Sequence, residues 1–111
     1  MLLTRAGGTV QAQEMPAAEG WAALERGDGS RAAAIFRDAL DRSPNNPILH
    51  FGSAQASLVL GRTDAAISSL KRAVQHDPQF VHAYVLLAQV AYNAADLDLA
   101  VRSLEKAVAL A

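Results

Sequence analysis

Apolar residues return every three or four positions between Ser30 and Arg42, at Ala32, Ile35, Phe36, Ala39 and Leu40, with charged residues between them. That spacing predicts a helix with one apolar stripe. The pattern recurs at a fixed interval. Ala32, Ala66 and Ala100 are in register, as are Phe36, Leu70 and Leu104, and Ala39, Ala73 and Ala107, a step of 34 residues each time. The stripe predicts two further helices, from about Thr63 to His76 and from Asp96 or Leu97 to the C-terminus. Between these run three other predicted helices, about Pro16 to Arg26, Pro47 to Leu60 and Gln79 to Ala94.

Punctuation falls where this register needs it. Gly27-Asp28-Gly29-Ser30 ends the first helix, with Asp28 or Ser30 able to cap the next. Ser43-Pro44-Asn45-Asn46-Pro47 and Asp77-Pro78 are turns, because proline disfavours helix in the residue before it. Gly61 ends the third helix, and Thr63 or Asp64 is expected to cap the fourth. The third helix is light, with Gly52, Ser53, Ala54, Ala56 and Ser57 on its packing side. Gly52 inside it costs about 1 kcal/mol relative to alanine, and close approach of a neighbouring helix is the expected compensation.

These repeated residues, Ala32-x-x-x-Phe36-x-x-Ala39-x-x-x-x-Pro44 and their copies, resemble the tetratricopeptide repeat, a helix–turn–helix unit. The family's small residue on the first helix stands as Gly20, Ala54 and Ala88. Its large aromatic is Tyr84 in the third unit, whereas Pro16 and His50 occupy that place in the others. This departure bears on the packing of the first helices, not on the fold. The resemblance implies an all-α chain, three such units stacked as a short right-handed α-solenoid. Residues 1–12 would form a flexible N-terminal tail, 13–46 the first repeat, 47–80 the second and 81–111 the third, without a separate capping helix.

Composition narrows the function. The 111 residues are 51% hydrophobic, largely through alanine, and only 5% aromatic. Net charge is −1 with both signs mixed, so the basic stripe that would neutralise nucleic-acid phosphates is missing and no nucleic-acid partner is expected. No run approaches the roughly 18 apolar residues that insert into a bilayer. There is no cysteine, which excludes thiol catalysis, disulfides and thiolate metal sites. Arg5 and Val10-Gln11-Ala12 faintly match the flanks of a secretory leader, but Thr4 and Arg5 break its apolar stretch. The compartment stays open between a cytoplasmic setting and a periplasmic or secreted one.

No catalytic constellation emerges. His50, His76 and His82 lack i, i+4 partners, which argues against zinc. His50 occupies a packing position that suits a hydrogen-bonded, partly buried imidazole. Asp96 and Asp98 are spaced like calcium-loop ligands, without that loop's glycine and distal glutamate. Ser68, Ser69 and Ser103 have no base beside them. Arg26-Gly27-Asp28 spells an adhesion tripeptide, but its glycine and aspartate are the turn residues the repeat requires. The expectation is a non-enzyme with no cofactor and no metal.

By resemblance, the first helix of each unit lines a concave groove where partners bind. The groove contacts expected here are Trp21, Phe51, Gln55, Val59, Val85, Gln89 and Tyr92. The family's carboxylate-clamp positions hold Ala17, Phe51 and Val85 in place of lysine, and Trp21, Gln55 and Gln89 in place of asparagine. What remains is an apolar floor with amide side chains, suited to an apolar or amphipathic peptide of a protein partner. The alternative is an assembly subunit that self-associates weakly, or docks into a larger complex, through Val101, Leu104 and Val108 on the last helix.

Overall fold

The computed structural model describes residues 17–111. The expected tail and the helix start at Pro16 lie outside them. Six helices follow in order: α1 Ala18–Glu25, α2 Gly29–Arg42, α3 Pro47–Val59, α4 Thr63–His76, α5 Val81–Asn93 and α6 Leu97–Leu110. No strand occurs among the described residues. Each helix packs on the next in sequence, and α1 also reaches α3. Contacts that stay between neighbours draw the chain into an elongated body, 53 × 29 × 22 Å, as expected of a helical-repeat solenoid.

The turn inside each helix pair is built the same way three times. Gly27, Gly61 and Ala95 hold left-handed φ angles of 74°, 74° and 63°. Their amides donate to Leu24, Leu58 and Tyr92 carbonyls, while Asp28, Arg62 and Asp96 amides reach back to Ala23, Ser57 and Ala91. This paired closure satisfies carbonyls that the helix end leaves open. Ala95 carries a Cβ in a conformation that glycine adopts freely. Ala95→Gly is therefore expected to raise the unfolding free energy by about 1 kcal/mol, read from a urea titration.

Caps follow the register less faithfully. Asp28 accepts from the Arg31 amide at 3.1 Å, and Asp96 from the Leu99 amide at 3.1 Å. At the equivalent point before α4 stands Arg62, and no side chain caps that helix. Thr63 is its first residue, so neither Thr63 nor Asp64 serves as the cap expected from sequence. Asn46 caps α3 by accepting from the Ile48 amide at 2.9 Å, with Pro47 in the first turn, where its missing N–H costs nothing.

The core forms in two successive clusters. Ala23, Ala32, Phe36, Ala39, Leu49 and Ala56 make the first. The second centres on Leu70 and Leu87, with small residues of α3 to α6 around them. Light α3 finds its compensation in Phe36: a Cβ on Gly52 would fall 2.4 Å from the ring. His50 is buried, as its packing position suggested, and its Nε2 lies 2.7 Å from the Pro44 carbonyl oxygen. Its ring stacks on His76 of α4, with centroids 5.5 Å apart. Tyr84 is buried at the equivalent position of α5.

Candidate functional site

The first-type helices α1, α3 and α5 converge on one face. Leu24 of α1, Gln55, Leu58 and Val59 of α3, and Leu86 of α5 line a recess of about 300 Å³. A second recess of about 400 Å³ adjoins it, lined by Leu58, Leu86, Gln89, Val90, Tyr92 and Asn93. Leu58 and Leu86 border both, so the two form one depression running from α1 to α5. No lining residue carries a charge, and Gln55, Gln89 and Asn93 supply amides at its edge. Uncharged walls of this kind can hold an apolar surface and give a few directional hydrogen bonds.

A row of aromatic rings links α1, α2 and α3 and reaches Phe80, just before α5. Trp21 meets Phe36 edge-on at 4.9 Å and lies 6.4 Å from Phe51. Phe51 in turn lies 5.1 Å from Phe80. The Trp21–Phe51 contact joins the first unit to the second, and aromatic pairs of this kind contribute about 0.5–1.5 kcal/mol beyond area burial.

The structure distributes the expected groove residues over different environments. Val59, Val85, Gln89 and Tyr92 are exposed, Tyr92 the most at 67%. Trp21, Phe51 and Gln55 are half-buried. Gln55, Val59, Gln89 and Tyr92 line the depression itself. Val85 lies on the same helix, one turn before Gln89, outside that lining. Leu86 was not among the groove residues expected from sequence, although it stands three and seven residues before Gln89 and Asn93, a helical-face spacing that marks it.

A second exposed surface lies on α6. Val101, Leu104 and Val108, joined by Leu97, are all more than half exposed. Val101, Leu104, Glu105, Val108 and Ala109 line a shallow recess of about 390 Å³ there. Among the described residues no three histidine, aspartate or glutamate side chains group as a metal site. No helix of the described residues is long and apolar enough to cross a membrane.

Comparison with known proteins agrees with the helical-repeat fold. A tetratricopeptide repeat family model matches residues 17–79, and a second model of the same description matches residues 60–111. The tetratricopeptide repeat and J domain-containing co-chaperone DNJ1 of Fusarium oxysporum f. sp. lycopersici is 34% identical over 77 residues. That match takes in 69% of this chain and 15% of the relative's length, so the chain corresponds to a small part of that protein. The Sgt2 domain of the same repeat type from Aspergillus fumigatus superposes with a TM-score of 0.79 at 29% identity, over 83% of this chain and 61% of that one. The second such domain of Spaghetti (RPAP3), solved with the HSP90 peptide SRMEEVD, gives a TM-score of 0.79 over 84% of this chain and 86% of that one. Its 18% identity makes the likeness one of fold alone.

Proposed function

The chain belongs to the tetratricopeptide repeat family, and from that premise we propose that it is a non-catalytic protein–protein interaction module. Its depression would take an apolar or amphipathic peptide segment of a partner. The observation that carries this reading is the continuity of the uncharged recess from Leu24 to Asn93 across all three units. A peptide helix with apolar residues at three- and four-residue spacing could bury them on Leu58, Val59 and Leu86, while Gln55 and Gln89 meet its polar edge. The Fusarium relative is a co-chaperone and the Spaghetti domain holds a peptide, which supports the interaction class. The chemistry of the ligand differs. SRMEEVD carries three carboxylate side chains, and the depression here offers no lysine or arginine to meet them.

The test selects peptides from a displayed random library on the wild-type chain and measures their affinity for a Val59→Lys variant of unchanged helicity. Val59 is exposed, so the substitution spares the core. Phe51 serves less well, because a charge there would enter the aromatic row. At least a tenfold loss of affinity is expected, about 1.4 kcal/mol. Selected peptides that bind both proteins equally would place the binding surface elsewhere.

A further inference from the structure

A cavity of about 650 Å³ opens between α4, α5 and α6. Sites for small molecules span roughly 300–1,000 Å³, so its size is that of a ligand pocket. It shares no lining residue with the α1–α3–α5 depression, and only Glu105 with the recess on the exposed stripe of α6. Val74, Leu87 and Leu99 give it an apolar lining. Lys71, Arg102 and Lys106 line it as well, as exposed cations.

Two deep hydroxyls set this cavity apart from a plain gap between helices. Tyr84 is 7% and Ser103 4% exposed, and both line it. Neither hydroxyl makes a hydrogen bond within the described residues, yet neither oxygen is sealed away from solvent. Both therefore open into the cavity. One unit earlier in the register, the place of Tyr84 is taken by His50, whose Nε2 is spent on the Pro44 carbonyl 2.7 Å away. Polar groups held this deep are stabilised by a hydrogen-bonding partner. Here that partner must come through the cavity.

Charge selects the occupant. Arg102 pairs with Asp98 at 3.4 Å in an exposed contact. Lys71, Lys106 and Glu105 have no ion-pair partner among the described residues. Two ammonium groups against one carboxylate leave a single positive charge at the cavity, which a monoanion would balance. A peptide helix, about 10–12 Å across, would rest on the exposed cations. Only a narrower group reaches Tyr84 and Ser103. We propose that the cavity binds a small organic carboxylate with an apolar body. The Tyr84 and Ser103 hydroxyls donate to its head, whose two oxygens accept several hydrogen bonds at once. Lys71 and Lys106 balance its charge, and Val74, Leu87 and Leu99 hold its body.

Isothermal titration calorimetry with octanoate and phenylpropanoate, each below its micelle concentration, tests the proposal. The two carry a carboxylate on an alkyl and an aryl body. At least one is expected to bind one-to-one, with its neutral amide and acetate weaker by about tenfold or more. Lys71→Gln combined with Lys106→Gln, both at exposed positions, should weaken binding about tenfold at unchanged helicity. Ser103→Ala should weaken it too, whereas Val59→Lys in the depression should leave it unaltered. In a nitrogen–proton NMR titration the shifted amides should surround Tyr84, Leu87 and Ser103. The proposal is overturned if neither acid binds at millimolar concentration, or if the amide binds as well as the acid. A lysine-pair or Ser103→Ala variant that binds like wild type also overturns it. So do shifts that gather at Val101 and Val108, or a loss of binding in Val59→Lys, which would move the ligand to another surface.

Discussion

Phe36→Ala is expected to lower the unfolding free energy by about 3–5 kcal/mol, the usual cost of truncating a fully buried phenylalanine. The ring is 0% exposed. Its neighbours are poor at closing the space it would leave. Gly20 and Gly52 flank it without side chains, and Trp21, held edge-on at 4.9 Å, is also engaged with Phe51. Domains are stable by about 5–15 kcal/mol, so the loss is a large share of the total. Because contacts in a repeat array are between neighbours, the damage should concentrate in α1, α2 and α3. A urea titration gives the size of the effect, and hydrogen exchange gives its location. A loss below about 1 kcal/mol, or protection lost evenly through α6, would contradict the packing described for this ring.

Gly52→Leu is the second large effect, a destabilisation of about 3 kcal/mol, near the upper end for overpacking. Even a bare Cβ there would lie 2.4 Å from two atoms of the Phe36 ring. Trp21 at the ring edge restricts its escape, and the roughly 1 kcal/mol gained by removing a mid-helix glycine does not offset the clash. The second junction of the same protein supplies the remedy. There Leu70 and Leu86 occupy the positions of Phe36 and Gly52, a medium pair in place of a large and a small one. Adding Phe36→Leu to Gly52→Leu should therefore recover part of the loss, with a favourable coupling of about 1 kcal/mol or more in a double-mutant cycle. Strict additivity would show that the two positions do not share one space.

Those two positions also show how far the sequence could be read. The glycine's cost was visible in the chain, and close approach of another helix was the expected compensation. Which ring made the approach was not, because Phe36 is 16 positions away and on another helix. The half-burial of Phe51 has the same origin. On its own helix it shares a face with Gln55 and Val59, but Trp21 on one side and Phe80 on the other draw it into the aromatic row. The histidines had no partner at helical spacing, and the stack of His50 on His76 forms only because α3 and α4 fold back together. The missed cap at Arg62 was of a different kind. Thr63 and Asp64 are good capping residue types, but the 34-residue register put the cap position one residue earlier, where Asp28 and Asp96 have an aspartate.

The sequence by itself determined the helices, their order, the turns and the repeat family, because each depends on local periodicity and on backbone chemistry that recurs every 34 residues. It also marked the apolar stripe of α6, since that stripe lies on one helix. The tertiary structure alone decided which apolar residues of α1, α3 and α5 are spent on packing and which are left to line the depression. That division is set by distances between side chains on different helices, and by how a large residue in one unit is matched by a small one in the next. The repeat register fixes which positions meet, while the side chains at those positions change from unit to unit, so the groove surface had to come from the packed helices.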